Sequence, residues 1–156
     1  MHTKYICLFL IIILNTFINC KNIKNDIQKN DINKISNNDL LEKYLNKPKH
    51  LEFIEYKSKN EQIIESSLYR LEGKYAAIVE KYLKNKCKMG KLKFICCGWE
   101  PRDGKHGYFK KDEYFKEKGL YRSYIVSMYS EETLINKRKN WAEIKYFYVL
   151  AEIYEY

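Results

Sequence analysis

The sequence carries no H-E-x-x-H, no glycine-rich phosphate loop, no Ser/His/Asp series and no C-x-x-C or paired Cys/His spacing. A classical hydrolase is therefore not expected, and neither is a zinc module of the usual kind. No internal repeat is visible. Long apolar runs are absent as well: the longest begins at Tyr5, and as a helix Tyr5 to Ile18 spans only about 21 Å against a hydrocarbon core of about 30 Å. One feature of the composition is discounted. The formal charge is +9, but Lys, Asn and Ile are abundant along the whole chain, so the basic balance reads as composition bias rather than as a designed patch. Against these absences stands a surplus of aromatics, 15% of residues, with 15 tyrosines. That ring area excludes a disordered chain. A length of 156 residues then gives room for one domain with a real core.

The first twenty residues set the expected destination. Lys4 supplies a short positive segment, Tyr5 to Leu14 is an unbroken apolar run, and Asn15 breaks it before Phe17-Ile18-Asn19-Cys20. This is the pattern of a secretory signal peptide. Phe17-Ile18-Asn19-Cys20 resembles the lipobox of bacterial lipoproteins, with Phe17 where Leu is usual and Asn19 where a small residue is usual. The resemblance implies cleavage before Cys20 and lipidation of Cys20 by diacylglycerol and a palmitate-class acyl chain. Two or three chains anchor stably, each buried methylene adding roughly 0.8 kcal/mol. Plain secretion and an uncleaved anchor are the alternatives. The expected organisation is a signal peptide over 1–19, a tether over 20–47 with a short helix near Asp39 to Asn46, and a folded domain over 48–156. In that short helix Leu40, Leu41, Tyr44 and Leu45 share a face, with Asn38 or Ser36 as cap and Pro48 as stop.

Within the domain, Leu51 to Lys57 and Ile63 to Leu71 read as a hairpin. Tyr75 to Met89 is the strongest helix. Tyr75, Ile78, Val79, Tyr82 and Leu83 form its apolar stripe, Glu80, Lys81 and Lys84 lie on the other side, and Gly90 is the left-handed cap. Leu92 to Trp99 reads as one strand, with Leu92, Phe94 and Cys96 facing inward and Ile95, Cys97 and Trp99 outward. Pro101 to Gly119 is a long irregular loop with a helical turn near Lys111 to Lys116. Leu120 to Tyr129 alternates as a strand, and Ile144 to Tyr154 is another, with Phe147, Val149, Ala151 and Ile153 inward. The expected fold class is α+β, a single helix packed on a largely antiparallel sheet in the order β-β-α-β-β-β.

Tyr69-Arg70-Leu71-Glu72-Gly73-Lys74, the helix Val79-Glu80-x-Tyr82-Leu83, the run Met89 to Glu100 containing Cys96-Cys97-Gly98-Trp99-Glu100, and Met128 to Thr133 resemble a family of small bacterial lipoproteins known only as a domain of unknown function. The resemblance covers Leu51 to Tyr156. It implies a lipoprotein and no particular activity.

Few residues invite chemistry. Cys96 and Cys97, as neighbours in a strand, would point to opposite faces, so they neither chelate one ion nor pair, and burial as small apolar thiols is the plainer reading. Cys87 lies too far back along the helix to reach them, and free thiols are expected. Glu100, Asp103 and His106 form the one acid and imidazole cluster, most simply a solvated loop. Lys137-Arg138-Lys139 beside Trp141 has the look of a polyanion contact, though a solvated turn is simpler. Trp99 and Trp141 are most simply packing residues.

The reading that follows is a non-enzymatic, membrane-anchored lipoprotein of the bacterial envelope. It would bind an envelope protein or anionic polymer, not nucleic acid, through its tyrosine-rich sheet, with Trp99, Glu100, His106 and Trp141 as candidate contacts and neither cofactor nor metal. A periplasmic immunity-type inhibitor of a toxin fits the same size and export. An enzyme using the rim of Cys97, Trp99 and Glu100, or the loop from Glu100 to His106, is the third reading.

Overall fold

A computed structural model describes residues 38–60 and 62–156. The expected signal peptide, Cys20 and the stretch 21–37 of the expected tether lie outside the described residues.

The sheet is built around the strand with the cleanest alternation. Phe147, Val149, Ala151 and Ile153 are buried along β8 (Tyr146–Glu155), while the residues between them are only half-buried. An apolar residue at every second position gives a strand one face to bury, and β8, paired along both edges, lies in the middle of the sheet. It is flanked by β2 (Ile63–Glu72) and β7 (Leu120–Ser130). Beyond β2 lies its hairpin partner β1 (Glu52–Asn60), and beyond β7 lie two short strands, β5 (Gly107–Tyr108) and β6 (Glu113–Phe115), each paired with β7. Every pairing is antiparallel. A separate two-stranded ribbon joins β3 (Leu92–Ile95) to β4 (Gly98–Pro101). Two α-helices complete the unit, α1 (Leu40–Tyr44) and α2 (Ala76–Cys87), with short 3-10 turns at Gly73–Tyr75, Arg102–Gly104 and Arg138–Glu143. The result is mixed α and β, with few helices and an antiparallel sheet, and Asn38–Tyr156 forms one compact unit.

Helix α1 begins inside this unit, eight residues ahead of the expected start of the domain, and its cap is Asp39 rather than Asn38 or Ser36. Asp39 Oδ1 accepts from Glu42 N at 3.0 Å. A five-residue helix has little stability of its own. What holds it is β2: Leu41 N donates to the Tyr69 hydroxyl at 2.9 Å, that hydroxyl donates to Asp39 Oδ1 at 2.8 Å, and Ser67 Oγ donates to Asn38 O at 2.8 Å. Lys47 closes an ion pair on the buried Asp39 carboxylate. The helix's free N–H groups are thus met by side chains of the sheet, and Leu40 and Leu41 are fully buried. At the other end Tyr44 packs on Phe109 and Tyr124, with centroids 5.9 and 5.7 Å away.

Helix α2 lies where the sequence places it but is rotated by about a quarter turn from the expected stripe. Its buried residues are Ala76, Val79, Glu80, Leu83 and Cys87, whereas Ile78 is exposed. At the end of that face the approach is close: a side chain at Gly107 of β5 would come within 2.9 Å of Cys87 Cβ, so β5 can pass there only as glycine. The left-handed cap also moves, from Gly90 to Lys88 at φ 61°, with Met89 N reaching back to Leu83 O at 3.4 Å. Gly90 answers a different need. Its N–H donates to Lys105 O at 2.8 Å, and an added Cβ would lie 3.1 Å from that same oxygen.

The largest departure is the run from Leu92 to Trp99. It is a hairpin, not a single strand, and Cys96 and Cys97 are its two-residue turn. Phe94 and Trp99 therefore face each other across the ribbon on its inner side, with centroids 5.8 Å apart, and Trp99 is buried instead of outward. The helical turn expected near Lys111 to Lys116 is absent. Glu113–Phe115 there is strand, because β7 offers it a free edge.

Candidate interaction surface

The inner face of the sheet is closed by α1, α2 and the β3–β4 ribbon. Its other face carries three cross-strand rows fixed by register: Glu52, Arg70, Tyr148 and Tyr129; then Glu55, Leu68, Leu150 and Ser127; then Lys57, Ser66, Glu152 and Ile125. Among the described residues no element covers these rows. The apolar members are half-buried only by one another.

Tyr129 and Tyr148 stack with centroids 5.7 Å apart and planes 25° apart. Burial, then Tyr148 and Glu152, push the Tyr129 phenol above its ordinary value. Arg70 is fixed from two sides, donating to Glu52 Oε2 at 2.8 Å through Nη2 while its guanidinium lies 4.7 Å from the Tyr146 ring. Lys57 pairs with Glu55 at 2.7 Å. Between these groups runs an open groove of about 500 Å³, with Leu68, Leu150 and Tyr129 as its apolar floor and Glu55, Lys57 and Glu152 at its margin. Such a surface suits a partner with an apolar ridge and charges of both signs.

Tyr129 also borders a second hollow of about 500 Å³, whose walls include Ile95, Cys96, Cys97, Glu100 and Glu132. The ribbon is seated there by Trp99 N donating to Ser130 Oγ at 2.9 Å and Thr133 N donating to Cys97 O at 2.8 Å. Cys96 has φ 54°, a conformation that costs an L-residue about 1–2 kcal/mol. Glycine is the usual occupant of the first central position in a tight hairpin turn whose φ is positive there. Cys96 is exposed and Cys97 half-buried, whereas Cys87 is sealed in the core, where burial pushes its thiol up to about 11. All three are free thiols.

The structure sorts the residues singled out by sequence into two groups. Trp99 and Trp141 come together, 5.0 Å apart and edge to face, in an aromatic series that runs from Phe94 through both tryptophans to Phe147. They are interior packing. Trp99 Nε1 donates to Ile135 O at 2.8 Å, and the buried Trp141 Nε1 has no hydrogen-bond partner. Glu100 and His106 are exposed, Glu100 on the hollow beside the cysteine turn and His106 on the loop ahead of β5. Asp103 pairs with its neighbour Arg102 at 3.0 Å. Among the described residues no group of three or more His, Cys, Asp or Glu is placed to hold a metal ion.

Sequence reasoning missed the role of Glu80. It is buried, accepts from Leu92 N at 2.7 Å and pairs with Arg138, whose Nη1 donates to Leu92 O at 3.0 Å. Leu92 stands opposite Pro101, which has no N–H to give. The Glu80–Arg138 pair thus takes the place of a neighbouring strand for that residue. Arg138 lies 4.1 Å from the Trp141 ring and 5.7 Å from the Trp99 ring, so the middle member of Lys137-Arg138-Lys139 is structural while the two lysines are exposed. A polar residue in the middle of an Ala76, Val79, Leu83 and Cys87 stripe was the signal available in the sequence.

A domain of unknown function (DUF4952) is found at residues 25–99. The match takes in α1, β1, β2, α2 and β3 and stops at Trp99, so it starts earlier and ends earlier than the resemblance drawn from Leu51 to Tyr156. No curated protein and no solved structure matches the chain. No helix among the described residues is long and apolar enough to cross a membrane.

Proposed function

We propose that the chain is a membrane-anchored lipoprotein of the bacterial envelope, lipidated at Cys20, whose folded unit acts as a non-enzymatic interaction module through the outer face of its sheet. The anchor rests on the sequence of residues 1–20. The interaction role rests on one observation: the uncovered groove between Leu68, Leu150 and Tyr129.

Of the two expected partner classes, an envelope protein fits better than an anionic polymer. A polyanion requires a field of one sign, whereas Glu52, Glu55 and Glu152 alternate here with Lys57 and Arg70.

A photo-reactive residue at Ser66, in the groove, and another at Ala77, on the exposed side of α2, test the face in envelopes of the producing cell. A discrete protein adduct from position 66 and none from 77 supports it. Equal adducts, or none, would end the proposal. The anchor is tested separately by intact mass of the membrane-extracted chain, which should begin at Cys20 and carry acyl chains.

A further inference from the structure

We propose that Cys96 and Cys97 form a redox-active vicinal dithiol that exchanges with a small uncharged or cationic disulfide, closing the β3–β4 turn into an eight-membered ring.

The argument starts from the turn. In an extended strand adjacent side chains point to opposite faces. Here the chain reverses at these two residues, Cys96 at φ 54°, and both cysteines line the same hollow. A positive φ in a place where glycine is usual is a local cost, and at Cys96 it falls on one of two adjacent thiols. Both sulfurs open on the hollow bordered by Ile95, Glu100 and Glu132, so a small molecule can reach them.

The ring is reversible by construction. A trans peptide holds adjacent Cα atoms about 3.8 Å apart, below the usual span of about 4.4 to 6.8 Å for a disulfide, and a bond so constrained is readily reduced. Structural stapling is therefore not its use.

The exchange proceeds in two displacements. The more exposed Cys96, as thiolate, attacks one sulfur of R–S–S–R. That bond breaks, a mixed disulfide forms on Cys96, and the departing thiolate takes up the proton Cys96 lost. Cys97 then loses its proton and attacks the Cys96 sulfur, forming the Cys96–Cys97 bond and releasing the second R–S–H. Two S–H bonds and one S–S bond are consumed, and one S–S bond and two S–H bonds are made. Two electrons pass from the protein to the substrate, and because the strained ring is the more oxidising couple, the step runs in this direction with the disulfide in excess over free thiol.

Charge sets the substrate class. The hydrogen bond to Cys96 is the first cause raising the Cys97 thiol above its ordinary value, but Glu132 and Glu100 add to it. The same two carboxylates repel an anionic disulfide and admit a neutral or cationic one.

The test uses the reduced full chain with cystamine, then alkylation without reduction and digestion with trypsin. Cleavage after Lys93 and Arg102 leaves one peptide, Phe94 to Arg102, that holds both cysteines and no other. The expected product is that peptide unalkylated and lighter by two hydrogens, restored by added thiol. Oxidised glutathione, an anionic disulfide, should react several-fold more slowly than cystamine, and the gap should narrow as salt is raised. Cys97→Ser should retain a cysteamine adduct on Cys96, while Cys96→Ser should react more slowly than the unaltered chain. Both positions are at a solvent-facing turn, so folding is not at stake. The proposal is overturned by a stable adduct on the unaltered chain, by linkage to Cys87 or to a second chain, by two alkylated thiols after treatment, or by equal rates with the two disulfides at low salt.

Discussion

Phe147 and Tyr148 are neighbours in β8, and they belong to two different surfaces. Phe147 points into the aromatic series under Trp141 and is fully buried; Tyr148 stacks on Tyr129 on the uncovered side. The same alternation of the same strands produces both faces. What differs is the cover: α1, α2 and the β3–β4 ribbon close the inner side, and among the described residues nothing closes the outer. Strand periodicity therefore decides which residues share a face, while the elements outside the sheet decide which face becomes core.

Four measurements break or sharpen that contrast. The largest effect belongs to Phe147→Ala, which removes a ring from a closed interior and should cost about 3–5 kcal/mol in denaturant unfolding. Tyr148→Ala should cost about 1 kcal/mol or less, because its ring is already half in water. Similar losses would mean that the outer face is also core. The next contrast sets the two ion pairs against each other. Glu80→Ala strands Arg138 and leaves Leu92 N without its acceptor, for an expected loss of about 3 kcal/mol. Arg70→Ala breaks the exposed pair with Glu52 and should leave the unfolding midpoint nearly unchanged. Smaller again is Tyr69→Phe, which removes the hydroxyl joining Asp39 to Leu41 N and should cost about 1–2 kcal/mol, with Tyr129→Phe near neutral in the same assay.

The last measurement is a pH series. Burial raises the Cys87 thiol from an ordinary 9.0 to about 11. Below pH 9 the thiol is neutral in both folded and unfolded chains, and its contribution is complete. As pH rises from 9 towards 11 the unfolded chain ionises first, so stability should fall across that window. Burial raises Tyr69 too, with a further push from Asp39, and so adds a decline of the same sign. The Cys87 part is the difference between the unaltered chain and Cys87→Ala, whose decline should be shallower. Parallel curves would mean that water reaches this thiol.

What the sequence made legible follows from the same physics. β2, β7 and β8 each have one buried face, so their alternation is visible, and the inner set of β8 was read residue by residue. The outer set of β7, with Ile125 and Tyr129, was legible for the same reason. The β3–β4 turn was hidden because Ile95-Cys96-Cys97 is apolar and carries no turn residue; Cys96 stands where glycine would have marked the reversal. The face of α2 was misjudged because Tyr75, Ile78 and Tyr82 outweigh Ala76 and Cys87 in size, and because the buried Glu80, held by Leu92 N and Arg138, reads in sequence as a solvated residue. β5 and β6 are two and three residues long. No periodicity can show in so few, and it is the free edge of β7 that makes them strands. The seating of α1 depends on Ser67 and Tyr69, almost thirty residues away, and local pattern cannot reveal a partner at that distance.

The central position of β8 has a consequence in time. β1 and β2 can close their hairpin as soon as residue 72 has been made, but the other edge of β2 waits for residues 146–155, about 80 residues later. At roughly 5–20 residues per second, synthesis leaves that edge open for about 4 to 16 s. Through that interval the β1–β2 hairpin is on its own, marginally stable at best, with an unfilled row of backbone donors and acceptors and no finished sheet. A chaperone or a translocation machine that engages the growing chain meets a half-made ribbon, and only the arrival of the central strand turns it into a protein.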